Sequence, residues 1–228
     1  MKTSIKLLLF FVGIVLFLVL ASDVVLWAYF KKGINGDGTV LRFPKKGDNV
    51  EVAKMTVLRP FKAIVINEDN VRIMYDTENR IGNLGGESEV PSNYYKQVGD
   101  TLYILPGEGN GISVYCKAVT YIRLAKDSLH VEIVTLKQPS LEVTGLDDCY
   151  VEMSGLEIEN FTYKGGKNNK VLTRELGNFD TMNVQLGWYG SVELQDVTVK
   201  NFSVKADSMR ALRLDEIGLS QLTQFKRN

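Results

Sequence analysis

Apolar residues in the second half of the chain recur in pairs, two positions apart, about every ten residues. The residue inside each pair is never apolar. A spacing of two is the period of a β-strand, whose successive side chains point to opposite faces. The pattern predicts strands with one buried and one solvated face. The predicted core is the eight pairs Val131/Ile133, Leu141/Val143, Val151/Met153, Phe161/Tyr163, Met182/Val184, Val192/Leu194, Phe202/Val204 and Leu212/Leu214.

The rhythm changes phase by one residue between the fourth and fifth pairs. We assign the slip to an insertion rich in Gly, Lys and Asn at Lys164–Lys170. A longer repeat lies over the rhythm, because residues 151–164 match residues 192–205, which lie 41 positions later. Two circuits of ~20 residues plus the slip account for this offset, and such a period is typical of a solenoid.

Strands about ten residues apart also fit an antiparallel β-sandwich of hairpins. Tight hairpins favour Asn-Gly or Asp-Gly turns. The connectors here instead continue the apolar alternation, at Leu156 and Ile158 and again at Val197 and Val199. Apolar corners suit a chain that winds around a core. We therefore predict an all-β fold, a right-handed parallel β-helix over residues 56–228, with the antiparallel sandwich as the alternative.

The first half of the soluble part also has β character. Phe61–Ile66, Val71–Tyr75 and Thr101–Leu105 are short runs rich in β-branched and aromatic residues, bounded by polar or Pro-Gly segments. No long window shows the apolar spacing of an amphipathic helix.

The N-terminal region differs in character. Leu7–Phe30 is a run of 24 residues with one charge, Asp23. A helix of that length reaches ~36 Å and crosses a ~30 Å hydrocarbon core. The rival interpretation is a signal peptide with a cleavage site at the small residues Val19 and Ala21 and a mature chain that begins at Asp23, but the apolar run continues beyond that site. We predict a membrane anchor over residues 1–32, a single transmembrane helix, followed by a Gly- and Lys-rich linker over residues 33–55.

The charge balance of the chain indicates whether a nucleic acid is an expected partner. The chain has 27 basic and 27 acidic side chains, a net charge of zero. Nucleic-acid binding favours a net basic face, so we expect no nucleic-acid partner.

The β-rich region resembles the autotransporter-adhesin head domain, or GIN domain, family of Bacteroidetes envelope proteins. The resemblance covers about residues 56–215. It rests on soft sequence patterns at Arg59–Ile73, Gly99–Ile104, Ser140–Leu146, Val151–Leu156 and Ser191–Val197. It implies a β-helix exported beyond the inner membrane and carries over no catalytic residue.

Two arguments about the orientation of the anchor point in opposite directions. Lysines and an arginine after the apolar run mildly favour a cytoplasmic C-terminal part by the positive-inside rule. Only six residues precede the run, which suits a signal anchor, and the resemblance points the same way. We predict a single-pass inner-membrane protein with the C-terminal domain in the periplasm.

Few residues suggest chemistry. His130 is the one histidine of the chain, and the sequence places no nucleophile beside it, so we expect a solvated strand residue. Cys116 and Cys149 are too few and too far apart for a typical zinc site. They are two independent thiols or, in the periplasm, a disulfide. The glycine clusters at 82–86 and 107–111 lack the context of a phosphate loop and predict turns.

Glu132 and Glu152 are 20 residues apart, so a β-helix stacks them on one outer face at ~4.8 Å. Like charges at that distance repel unless a cation or a basic neighbour intervenes. The pair is a candidate cation or sugar site, against a merely solvated ladder.

These observations predict a non-catalytic, membrane-anchored envelope protein that serves in adhesion, as a scaffold or in binding a protein or glycan ligand. We assign no catalytic, cofactor-binding or metal-binding residue. The alternative is a β-helical polysaccharide-active enzyme, which needs carboxylates clustered in one groove. A signalling subunit is a third option, and it would need a partner inside the cell.

Overall fold

The computed structural model describes residues 55–84, 89–107, 111–215 and 224–227. The predicted membrane anchor, residues 1–32, lies outside these ranges, as does the predicted linker apart from residue 55. Within these ranges there is no helix, and so none that is long and apolar enough to cross a membrane. Their regular elements are all β-strands, as the sequence predicts.

The described ranges contain eighteen strands. In chain order they are β1 Thr56–Val57, β2 Ala63–Ile66, β3 Val71–Tyr75, β4 Arg80–Asn83, β5 Tyr95–Val98, β6 Thr101–Ile104, β7 Ile112–Cys116, β8 Tyr121–Leu124, β9 His130–Val134, β10 Lys137–Gly145, β11 Tyr150–Ser154, β12 Glu157–Gly165, β13 Lys170–Arg174, β14 Gly177–Leu186, β15 Gly190–Leu194, β16 Val197–Ala206, β17 Met209–Leu214 and β18 Gln224–Arg227.

These strands form two nine-stranded sheets that wind together as a β-solenoid. From β9 onward the chain alternates between the sheets, and each strand pairs in parallel with the strand two places further along the chain. We call one circuit, with one strand in each sheet, a rung. The strands β9 to β18 make five successive rungs. The β-helix prediction is confirmed as a β-solenoid. The sandwich alternative is wrong, because consecutive strands in this region do not pair with each other.

The strand register shows the repeat directly. Val131, Val151, Val171, Val192 and Leu212 are successive partners across one sheet. Each rung therefore takes 20 residues, except one rung, which takes 21. Fourteen of the sixteen predicted core residues are buried. The other two, Leu212 and Leu214, are half-buried in β17, which has a neighbouring strand on one side only in the described ranges.

The connectors behave as predicted. Leu156, Ile158, Val197 and Val199 are all buried. Burying them lets the core continue around the corner of each rung, and removing apolar surface from water is the main favourable contribution to folding.

The predicted insertion at Lys164–Lys170 is wrong. Gly145 pairs with Gly165 and Tyr150 with Lys170, so the loop between β12 and β13 has the same length as the loop before it. The additional residue lies one loop later, between β13 and β14, where Glu175 and Leu176 both have positive φ.

Each corresponding loop has one such residue, namely Thr135, Gly155 or Asp196. Leu176 is the additional residue, and it is 82% exposed. The polar composition of Lys164–Lys170 suggested an insertion, but a looped-out leucine causes the slip.

The rungs at the N-terminal end do not follow chain order. Strand β2 pairs with both β6 and β8, and β3 pairs with both β7 and β9. The β2–β3 rung therefore lies between the β6–β7 rung and the β8–β9 rung. Antiparallel strands complete this end, because β4 pairs with β7, β1 with β4 and β5 with β6. They cover the first parallel strands, whose edges would otherwise be free to pair with another chain.

Candidate functional site

The first residues of β10, β12 and β14 form a third outer face of the solenoid. In β10 and β12 two consecutive residues point outward, Pro139–Ser140 and Glu159–Asn160, and alternation resumes afterwards. Two successive outward residues mark a bend in each strand. The bends stack from rung to rung, because these strands pair in register.

A groove runs along this third face, parallel to the solenoid axis. Its two parts have volumes of about 610 and 420 Å³, and both are lined by Lys137, Gln138 and Pro139. These volumes lie in the range of ligand sites, roughly 300–1,000 Å³. The lining reaches from Asp100 to Asp180. This stretch crosses the neighbouring strands β6, β2, β8, β10, β12 and β14, about 24 Å at ~4.8 Å per strand. We call this feature the axial groove.

The part of the groove with the larger volume is basic. Lys62, Lys117 and Lys137 line it together with a single carboxylate, Asp100. We call this part the basic half. The rest of its lining consists of apolar side chains, the half-exposed ring of Tyr75 and the polar residues Thr77, Asn79 and Gln138. A cationic rim over a largely apolar floor is suited to an anionic ligand that also carries apolar surface.

Hydrogen bonds fix the backbone around the basic half. The N–H of Lys62 donates to the carbonyl of Asp100 at 2.8 Å, and the N–H of Thr120 donates to the carbonyl of Lys62 at 2.9 Å. The Gln97 amide donates to the carbonyl of Pro60 at 3.2 Å. A site formed before the ligand arrives loses less conformational freedom on binding.

The floor contains a buried polar side chain, Gln138. Its partners along the column are Ile158 and then Phe179, both buried and apolar. The Gln138 amide accepts from the N–H of Val119 at 3.1 Å and donates to the carbonyls of Val119 at 2.6 Å and Ser140 at 2.7 Å. These bonds satisfy the amide and fasten the strand start of β10 to the segment before β8.

The part of the groove with the smaller volume is acidic. Glu157, Glu159 and Asp180 line it, and we call it the acidic half. Lys137 stands at the boundary, with its Nζ 2.5 Å from Glu157. The hydrogen bond and the charge of Glu157 raise the pKa of Lys137. Both partners are largely exposed, so the pair contributes little to stability.

The predicted stacking of Glu132 and Glu152 is confirmed, because they are register partners. Each carboxylate has a basic neighbour. Arg72 Nε lies 2.5 Å from Glu132, and Arg174 Nη1 lies 3.2 Å from Glu152. The described part of the chain holds no group of three or more His, Cys, Asp or Glu side chains arranged for a metal ion. Arginine side chains therefore supply the positive charge beside the two glutamates that the sequence assigned to a bound cation.

His130 is the first residue of β9 and is half-buried. Its ring stacks on Tyr150 with centroids 4.7 Å apart and planes 10° from parallel. The Tyr150 hydroxyl donates to Glu152 at 2.9 Å. Burial and this bond raise the pKa of Tyr150 to about 12. His130 thus packs on a neighbouring ring, whereas the sequence predicts a solvated histidine.

Cys116 and Cys149 are both buried and both free, so the disulfide alternative is wrong and the two independent thiols are confirmed. Burial raises the pKa of the Cys116 thiol to about 12 and raises that of Cys149. A buried thiol with a raised pKa is a poor nucleophile. Among the predicted glycine turns, Gly82 lies within strand β4, which is a correction. Gly111 has a φ of 65° outside any strand, as a turn requires.

The sequence missed the axial groove. No motif marks it, because its basic half combines side chains from segments far apart in the chain. One signal was available, since Gln138 is a polar residue in a column of apolar ones. Fold and groove together define a β-solenoid with a groove along its axis. No protein-family model matches the chain, and no curated protein is detectably similar to it.

Proposed function

We propose that this protein is a non-catalytic, membrane-anchored β-solenoid of the bacterial cell envelope that binds a protein or glycan ligand in the axial groove. The observation that carries the proposal is the groove itself, about 24 Å long by the strand count and lined by charged side chains above an apolar floor. A role in adhesion or as a scaffold follows if the ligand belongs to another surface.

The finer architecture is part of this proposal. A single helix over Leu7–Phe30 anchors the chain in the inner membrane, supported by the length and apolar character of that run. The C-terminal domain lies in the periplasm, as the resemblance to the GIN domain implies. The solenoid winds to the right, because about 98% of crossovers between parallel strands of a sheet are right-handed.

Anchoring and orientation can be tested by cell fractionation. We expect the full-length chain with a C-terminal tag to remain in the membrane after a carbonate wash, and protease to digest the tagged domain in spheroplasts. A cytoplasmic marker that stays intact is the control. A tagged domain that is released by the wash, or protected from protease, contradicts the anchor or its orientation.

Binding in the groove can be tested by filling the groove. Ala118 is exposed and lines the basic half, so Ala118→Trp adds bulk there without removing a polar contact. The probes are polygalacturonate, dextran and poly-L-glutamate, titrated into the full-length chain in mild detergent. We expect at least one probe to bind, and Ala118→Trp to weaken that binding at least tenfold.

The matched control is Gln185→Trp, which places the same ring on an exposed outer position of β14 away from the groove. It should bind like the unmodified chain. Binding that survives Ala118→Trp, or no binding of any probe, contradicts the assignment of the groove as the ligand site.

The second candidate is a polysaccharide-active enzyme, and one observation favours it. Glu157, Glu159 and Asp180 cluster in the acidic half, as a pair of catalytic carboxylates would. Against it, Glu157 is paired with Lys137 and Asp180 with Lys200, at 2.5 and 2.6 Å. New reducing ends from polygalacturonate or dextran that disappear in Glu159→Gln would favour the enzyme over the binding module.

A further inference from the structure

Resting on the proposed function, we propose that the basic half of the axial groove binds an acidic polysaccharide, whose carboxylates contact Lys62, Lys117 and Lys137. The sugar rings lie over the apolar floor and against Tyr75. This assigns a chemical class of ligand to the site.

Within the described part of the chain, two of the three ammonium groups have no acidic partner. Lys137 is paired with Glu157. Among the described residues, neither Lys62 nor Lys117 has a carboxylate within ion-pair distance, and both are exposed. The whole chain has a net charge of zero, so a surface with three lysines and one carboxylate is a local concentration of positive charge. Such a surface attracts anions and raises their rate of association.

The arrangement of the lysines suits a polymer. Lys62 precedes β2, Lys117 precedes β8 and Lys137 begins β10, and these three strands are successive neighbours in one sheet. These strands lie ~4.8 Å apart, but the lysines stand at different positions along them, because Lys62 is level with Thr120 and not with Lys117. The three lysines therefore form a patch, and different sugar units of an acidic polymer that crosses it can each present a carboxylate.

Tyr75 supplies a surface for a sugar ring. It ends β3, lines the basic half and is 45% exposed. An aromatic ring offers an apolar face together with a hydroxyl that can hydrogen-bond. A pyranose ring likewise has apolar C–H faces and polar edges, so the two are complementary.

The main chain of the groove favours a glycan over a peptide. Both edges of β2, β8 and β10 are already paired with neighbouring strands. A peptide lying across them finds no free strand edge for its own N–H and C=O groups, which need partners when buried. Sugar hydroxyls form hydrogen bonds with side chains, and the groove provides polar side chains.

The acidic half limits how far an acidic polymer can extend. Beyond Lys137 the lining carboxylates Glu157, Glu159 and Asp180 repel further negative charge. A polyanion therefore occupies the basic half alone.

The test is binding of polygalacturonate, dextran and poly-L-glutamate to the full-length chain in mild detergent. We expect polygalacturonate to bind most tightly. Lys62→Gln and Lys117→Gln should each weaken it about two- to fivefold, and the double variant about tenfold, in line with the strength of exposed ion pairs. Lys205→Gln removes the same charge from an exposed position of β16 outside the groove and should change the affinity less than about 1.5-fold.

Four results would overturn the inference. Poly-L-glutamate that binds as tightly as polygalacturonate would show that the site takes any polyanion. An equal loss in Lys205→Gln would show diffuse attraction to the whole surface. Dextran that binds most tightly, and is lost in Ala118→Trp, would leave the proposed function standing with a neutral glycan as ligand. Absence of all binding would remove the proposed function as well.

Discussion

Replacing Phe161 with alanine is expected to lower the free energy of unfolding by about 3–5 kcal/mol, the usual cost of removing a large aromatic side chain from a core. Phe161 is fully buried in β12, with Leu141 and Met182 as its register partners on either side. Its ring also meets Phe179 edge-on, with centroids 5.8 Å apart. The cavity left by the missing ring therefore borders three neighbouring rungs. Each rung of a solenoid contacts only its neighbours, so no other contacts compensate for those that are lost.

Urea denaturation followed by far-UV circular dichroism measures this effect. The matched control is Asn160→Ala in the same strand, because Asn160 is exposed one position earlier. We expect the control to change the unfolding free energy by less than about 0.5 kcal/mol. Similar losses in both variants, or a loss below about 1 kcal/mol for Phe161→Ala, would contradict the predicted inward face.

The sequence was sufficient to predict which side chains face inward. Pairs such as Val151 and Met153 lie two apart in a strand, and the period of two is a local property of the backbone. Burial follows from that local property wherever a rung has neighbours on both sides. Leu212 and Leu214 are half-buried in the last strand of their sheet because one of those neighbours is missing in the described ranges.

The order of the rungs could not be predicted in the same way. Val71 and Val131 are 60 residues apart and pair directly, although the five strands β4 to β8 lie between them in the chain. Period and composition tell which face of a strand is apolar, but they do not tell which strand lies beside it. The β2–β3 rung has the same alternating pattern as the others, so nothing local marks its place.

The candidate site depends on this missing information. The stacking of Glu132 on Glu152 follows from a 20-residue repeat and was predicted. The arginine that neutralises Glu132 is Arg72, which comes from the rung that is out of order. The basic half of the groove likewise joins Lys62 to Lys117, which no sequence spacing relates.

A pair of single-residue deletions distinguishes the looped-out leucine from the predicted insertion. Deleting Leu176 should leave the unfolding free energy within about 1 kcal/mol of the unmodified value, as expected for an exposed residue. The loop would then have the length of the loops at Thr135, Gly155 and Asp196, each with one residue of positive φ.

Deleting Lys167 should cost more than about 3 kcal/mol. Its N–H donates to the Asp147 side chain at 2.7 Å, and its carbonyl accepts from the N–H of Asp148 at 2.8 Å. The shortened loop also displaces the buried Asn169, whose amide bonds to the N–H of Cys149 and the carbonyl of Leu146 at 2.7 and 2.8 Å. Each buried group left without a partner costs about 1–3 kcal/mol.

Midpoints and slopes of urea denaturation compare the two deletions. The deletion of Lys167 either leaves the polar groups around Asn169 without hydrogen-bond partners or shifts the register of β13 by one residue. Such a shift would turn the inward side chains of β13 outward. Neither consequence applies to the deletion of Leu176, because this residue already loops out from the regular strand pairing. The opposite ranking, in which the deletion of Lys167 is tolerated and that of Leu176 is not, would place the additional residue in Lys164–Lys170 and contradict the pairing of β11 with β13.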